Sequence, residues 1–170
     1  MKFESLAEIE RFTIPAAVVE ATDRALQDAG REHSERFVLW TGRVEDSVFW
    51  AQTAYVPGQT AHNLPSGLCV TVEGDELHKL NRWLYENDQT MAVQVHSHPT
   101  HAFHSDTDST YPIVTQRGGL SIVVPNFARA GLAGQGVAVY RLDTQGLRRI
   151  RGRKLTRLLA LSADDAQEPA

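Results

Sequence analysis

One stretch of the sequence decides both the fold and the candidate site: residues 91–99, which read MAVQVHSHP. Apolar and polar residues alternate through its first part, as in a β-strand, where successive side chains point to opposite faces. His96 and His98 lie two positions apart, so an extended chain directs both imidazoles to one side. Pro99 has no backbone donor and ends the strand. We therefore expect one face of this strand to pack and the histidine face to open to a site.

A third candidate ligand follows Pro99 in the turn beyond the strand, at Asp108. Two neutral imidazoles and one carboxylate, with a fourth position left for water, form the usual donor set of a catalytic zinc site. His101 and His104 do not fit this pattern, and we interpret them as loop residues. The alternative is a purely structural role for these residues. The histidine pair would then be only a polar face of the strand, and Ser105 would begin a helix whose acidic residues complement the helix dipole.

These residues resemble the motif of the JAMM metalloproteases, also called MPN+ or JAB. That motif consists of a distant Glu, then His-x-His-Pro, a short spacer, and Ser-x-x-Asp. His96, His98 and Asp108 match the zinc ligands of the family, and Ser105 matches its serine. The spacer between Pro99 and Ser105 has five residues, whereas the family usually has six. A loop absorbs such a deletion more easily than a strand does, so the difference affects the loop more than the ligand set.

The distant Glu of the family begins an early strand that ends in Gly seven residues later. Glu35 matches this arrangement, because it opens the segment ERFVLWTG, which ends at Gly42. The small residue often found three places after the Glu is Val38 here. Glu32 and Glu45 lie nearby and remain competitors for the role.

The resemblance implies a zinc-dependent peptidase that cleaves after the C-terminal Gly of ubiquitin or a ubiquitin-like protein. The extended tail of that protein would bind as an added strand. Glu35 would move a proton from the attacking water to the leaving amine, and Ser105 would donate a hydrogen bond to the developing oxyanion. The implied partners are the ubiquitin-like protein and its activating and conjugating enzymes.

The chain is similar to compact prokaryotic JAB proteins, including those of bacterial defence operons against viruses. Processing of a sulfur-carrier protein is an alternative with the same chemistry. A non-catalytic MPN-type scaffold is another, although such scaffolds typically lose metal ligands that this chain keeps. We interpret Cys69 as a buried thiol in a strand rather than as a nucleophile.

The composition favours one domain. A chain of 170 residues with 42% hydrophobic content can bury one core, and we expect it to span residues 1–161, followed by a disordered acidic tail over 162–170. The single Cys, the absence of a signal-peptide pattern and the lack of a long apolar run favour a cytoplasmic protein without a membrane span. The net charge of -4 argues against nucleic-acid binding.

The order of predicted elements indicates an α/β fold with a mixed β-sheet flanked by helices, as the resemblance to MPN/JAB domains also implies. The predicted strands are 35–41, 48–56, 67–72, 91–98, 120–124, 137–142 and 147–150, and the predicted helices are 15–29, 75–87, 110–116 and 155–161. Residues 57–67 are expected to be a loop. Seven basic residues and one acid lie between Arg141 and Arg157, a strip that is either solvated or a docking surface for an acidic partner.

Overall fold

The computed structural model describes residues 5–103 and 113–162. The strands in this part of the chain are β1 (Arg11–Ile14), β2 (Phe37–Glu45), β3 (Val48–Tyr55), β4 (Thr60–Leu64), β5 (Gly67–Thr71), β6 (Thr90–Ser97), β7 (Leu120–Val124), β8 (Ala138–Asp143), β9 (Gly146–Ile150) and β10 (Leu159–Leu161). The α-helices are α1 (Ala16–Arg31), α2 (Gly74–Glu86) and α3 (Gly152–Leu158).

Eight of these strands form one mixed, curled sheet in the order β10-β1-β3-β2-β6-β7-β8-β9. β6, which carries the histidines, lies near the middle, antiparallel to β2 and parallel to β7. β4 and β5 form a separate antiparallel hairpin. This arrangement confirms the predicted single-domain α/β fold with a mixed sheet and flanking helices.

The histidine face of β6 opens only to a cavity, which His96 and His98 line. All residues from Ala92 to His98 are buried, so the strand is covered on both sides. Val93 and Val95 belong to the hydrophobic core, while on the opposite face Gln94 accepts hydrogen bonds from the chain that returns at Ile113. The alternation of residue types predicts the two faces of the strand, but it does not reveal that residues later in the chain cover most of the polar face.

A buried hydrogen bond connects helix α1 to the sheet. Trp40 is fully buried on β2, and its indole Nε1–H donates to Thr22 Oγ1 over 2.8 Å. The Thr22 hydroxyl donates in turn to the carbonyl of Val18, one helical turn earlier, over 2.7 Å. A buried indole N–H needs a partner, and Thr22 supplies it from the helix.

Some of the basic residues between Arg141 and Arg157 form contacts within the fold. Arg141 is half-buried and donates to the carbonyls of Leu6, Ile9 and Gly118, which anchors the N-terminal segment to β8. Burial lowers the pKa of the Arg141 guanidinium from its ordinary value. Arg148 forms an ion pair with Asp143 over 2.7 Å. Docking of an acidic partner on the remaining cations stays a prediction.

Three predicted elements differ from the structure. The last helix ends at Leu158 because Leu159–Leu161 form β10, which pairs in parallel with β1. The expected loop over 57–67 contains β4, and the expected helix over 110–116 is not helical in its described part, 113–116.

The predicted tail over 162–170 lies outside the described residues except for Ser162. The N–H of Ser162 donates to the carbonyl of Ile14 over 2.9 Å, so this residue continues the edge of the sheet. None of the helices in the described part of the chain combines the length and the apolar composition that a membrane crossing requires.

Replacing Thr22 with Val tests the hydrogen bond between helix α1 and the sheet. Val keeps the shape of the side chain but removes the only described hydrogen-bond partner of the Trp40 indole, which stays buried. We expect the free energy of unfolding to fall by about 1–3 kcal/mol, measured by urea denaturation.

The matched control is Thr22→Ser, which keeps the hydroxyl and loses one methyl group. Its expected cost is about 0.8 kcal/mol. A Thr22→Val protein that is as stable as the wild type would show that the indole bond contributes nothing.

Candidate active site

The candidate site is a cavity of about 190 Å³ at one end of the central strands. Its walls come from the residues that precede and begin β2, from the β4–β5 hairpin, and from the residues at the end of β6 and just after it. Glu35, His96 and His98 all line it. The structure therefore brings together the described members of the predicted site.

The two histidines face each other across a short gap. His96 is 2% exposed and His98 5% exposed, and their Nε2 atoms lie 3.1 Å apart. Two nitrogens bound tetrahedrally to one zinc ion, each about 2 Å from it, lie about 3.3 Å apart. The separation between the two Nε2 atoms therefore fits a single metal ion held by both rings.

Backbone and aromatic contacts fix this pair of rings. The N–H of His98 donates to the carbonyl of Val124 over 2.8 Å, which extends the pairing of β6 with β7 by one residue. The ring of His96 packs on Phe37, its partner on β2, with 4.9 Å between ring centroids. The ring of His98 meets Phe103 edge-on at the same distance. The imidazoles are thus held between aromatic side chains.

Of the three glutamates considered from the sequence, Glu35 is the one on the cavity wall. The register of β2 with β6 places Phe37 opposite His96, and the N–H of Ser97 donates to the carbonyl of Arg36 over 3.2 Å. Glu35, one residue earlier, therefore lies toward His98. Glu32 is exposed at the end of α1, and Glu45 is exposed at the opposite end of β2. Their positions leave Glu35 as the candidate general base.

Ser105, Asp108 and His104 lie outside the described residues. Within residues 5–103 and 113–162, no group of three or more His, Cys, Asp or Glu side chains is arranged to hold a metal ion. The structure thus shows two of the three predicted ligands.

The described chain approaches the histidines on both sides of the segment that contains Ser105 and Asp108. Before the segment, Phe103 packs against the ring of His98. After it, the N–H groups of Ile113 and Val114 both donate over 2.8 Å to Gln94 Oε1. Gln94 lies two residues before His96 on the same face of β6 and is 1% exposed.

The sequence pattern predicts Gln94 only as part of the polar face of β6, without a specific role. Its amide Nε2 also donates to Ser121 Oγ over 3.0 Å, so both ends of the buried amide are bonded. The signal for this role was present, because a Gln flanked by Val on a central strand must find partners. Which groups bind Gln94 depends on packing between residues that are far apart in the sequence.

The β4–β5 hairpin contributes a wall of the cavity, formed by the turn at Ser66 and by β5, which the sequence predicts as a strand. Cys69 lies on β5, half-buried, and lines the cavity rather than packing in the core. His101 is exposed and does not line the cavity.

Gln59, just before β4, binds both backbone groups of Phe37 through its side-chain amide, which holds the hairpin against β2.

No protein-family model matches the chain. Its fold is similar to the solution structure of protein DSY2949 from Desulfitobacterium hafniense, with a TM-score of 0.59 over 89% of this chain and 92% of that one. The two sequences are 16% identical, so the likeness concerns the fold alone.

A relative found by sequence similarity shows the family to which the chain belongs. The protein named "Probable metalloprotease y4jG" from Sinorhizobium fredii (strain NBRC 101917 / NGR234) is 36% identical over 160 residues. The match covers 94% of this chain and 99% of the relative. Identity of this extent over nearly the whole of both proteins places the chain in the family of that probable metalloprotease.

Proposed function

We propose that the protein is a zinc-dependent peptidase of the JAMM type that cleaves after the C-terminal Gly of a ubiquitin-like protein. The observation that carries the proposal is the pair of buried imidazoles, whose Nε2 atoms lie 3.1 Å apart in a cavity that Glu35 also lines. The name of the relative, a probable metalloprotease, supports metal-dependent peptidase activity in general. The sequence motif supports the finer assignment.

The donors suit zinc. His96 and His98 supply two imidazole nitrogens, and Asp108 is the proposed third ligand, which leaves one coordination position open, as catalytic zinc sites require. A segment of nine residues separates Phe103 from Ile113, and the structure places both of these beside the strand that carries the histidines. Asp108 is therefore within reach of the pair.

The proposed mechanism assigns a separate role to each residue. A bound zinc ion would polarise the substrate carbonyl and lower the pKa of water to about 7. Glu35 accepts the proton of the attacking water and delivers it to the leaving amine nitrogen. Ser105 donates a hydrogen bond to the carbonyl oxygen as its negative charge develops. The buried ring of Phe37 limits the access of bulk water to His96, and the exposed ring of Phe103 packs edge-on against His98.

The hairpin wall of the cavity supports an extended substrate. The wall formed by β5 offers a strand along which an extended tail can lie. The proposed partners are a ubiquitin-like protein with such a tail and the enzymes that activate and conjugate it.

The first test of the proposal is the metal content. Purified protein should contain about one zinc per chain, measured by inductively coupled plasma mass spectrometry. Replacing His96, His98 or Asp108 with Ala should lower the content markedly, because each variant removes one of three ligands. His101→Ala is the matched control, since His101 is exposed and does not line the cavity. Zinc near zero in the wild type, or a loss on His101→Ala equal to that of the others, would contradict the ligand assignment.

The second test is cleavage of a ubiquitin-like protein extended beyond its C-terminal Gly. The wild type should cut at that Gly, and a zinc chelator should stop it. Glu35→Gln should keep the fold and the zinc while the rate of cleavage falls by about 10²–10⁴-fold, because it removes the proton acceptor and not a ligand.

Glu45→Gln is the control for this variant, because Glu45 is exposed at the far end of the same strand. It should keep full activity. If Glu32→Gln abolishes cleavage while Glu35→Gln does not, Glu32 is the general base. Cleavage that continues in the chelator would point to Cys69 or to a contaminant.

A further inference from the structure

Three consecutive residues just after β7 adopt the left-handed backbone conformation. The φ angles of Asn126, Phe127 and Ala128 are 55°, 53° and 56°. L-residues rarely adopt this conformation, because the Cβ atom crowds the following carbonyl oxygen, and runs of such residues are rarer still. We call Asn126–Ala128 the left-handed turn. Such a strained turn persists only when its surroundings enforce it.

Helix α1 encloses the turn from one side. Ala128 is fully buried, and its carbonyl accepts a hydrogen bond from Gln27 Nε2 over 3.1 Å. Gly30 lies so close that a Cβ atom there would sit 2.6 Å from the carbonyl oxygen of Phe127. Only glycine allows the helix to approach the turn in this way.

The other side of the turn holds the chain that follows the second histidine. The N–H of Asn126 donates to the carbonyl of Thr100 over 2.9 Å, and the N–H of Phe127 donates to the carbonyl of His98 over 2.7 Å. These two carbonyls flank Pro99. Since the N–H of His98 already donates to Val124, both backbone polar groups of His98 are bonded to the chain from Val124 to Phe127.

We infer that the left-handed turn is a positioning element for His98, which fixes the backbone from which the imidazole reaches its metal-binding position. None of its three residues lines the cavity. Its two successive N–H groups point at the carbonyls of His98 and Thr100 because the backbone winds in the left-handed sense. A chain that returned to right-handed angles at Asn126 would redirect at least one of these donors. In its reference to metal, this inference rests on the proposed function.

The experiment compares Asn126→Val with Asn126→Gly. The side chain of Asn126 is exposed, so neither variant leaves a cavity. Val is branched at Cβ and disfavours a positive φ, whereas Gly adopts it freely. The first readout is the NMR spectrum of metal-free protein, in which the backbone amide and ring signals of His98 report its position. The second is the dissociation constant for zinc, measured against a competing chelator.

The inference predicts that Asn126→Val shifts or broadens the His98 signals and weakens zinc binding by about 10–100-fold, as expected when the support of a ligand is lost. Asn126→Gly should resemble the wild type in both measurements. Core amides such as that of Val93 should be unchanged in both variants, which separates a local effect from unfolding. Wild-type His98 signals and zinc affinity in Asn126→Val would overturn the inference.

The NMR readout keeps this test separate from the proposed function. If the wild type binds no zinc, the proposed function fails, while the His98 signals of the metal-free variants still decide whether the turn positions this residue. Phe127→Ile and Phe127→Leu form a second matched pair that decides the question if Asn126→Val does not fold. Their side chains are isomers, and only Ile is branched at Cβ. Isoleucine should reproduce the predicted effect and leucine should not, whereas equal behaviour of the two would overturn the inference.

Discussion

The structure depends on the burial of a polar strand face in the middle of a sheet. β6 carries Gln94 and His96 on this face and Ser97 on the opposite one, all at positions that are at most 2% exposed. A buried polar group is destabilising unless it is hydrogen-bonded, so each of these residues requires partners from other parts of the chain. Gln94 binds the segment that returns at Ile113 and the hydroxyl of Ser121, and Ser97 binds the backbone of Arg36. The partners of these buried polar residues thus bring together the segments that build the cavity.

The same constraint links stability to the proposed chemistry. A pair of imidazoles held apart from water can bind a metal ion with little rearrangement, because the surrounding strands have already fixed both rings. The left-handed conformations of Phe127 and Ala128 cost about 1–2 kcal/mol each in backbone strain. A fold that keeps such strain beside a candidate ligand gives up some stability for the position of one backbone segment. Strain of this kind is concentrated at functional sites more often than elsewhere.

Much of this arrangement could be predicted from local sequence. The histidine strand and the helix that becomes α1 have clear periodicity, and Leu120–Val124 is a short, mostly apolar run of the kind that forms a buried strand. The spacing of His96 and His98 determines that they face the same side. β10 could not be predicted, because Leu159–Leu161 continue an apolar pattern that also suits a helix, and only pairing with β1 decides the outcome. The roles of Gln94 and Asn126 depend on residues far away in the sequence, which no local pattern contains. The predicted ligand Asp108 and the predicted oxyanion donor Ser105 remain predictions.

The central claim is that His96, His98 and Asp108 bind one zinc ion. Anomalous diffraction at the zinc absorption edge, from crystals of the protein grown with zinc, tests it most directly. The account predicts one strong peak about 2 Å from both histidine Nε2 atoms and from a carboxylate oxygen of Asp108. A peak that lacks either histidine, or a zinc ion completed by a residue other than Asp108, would contradict it.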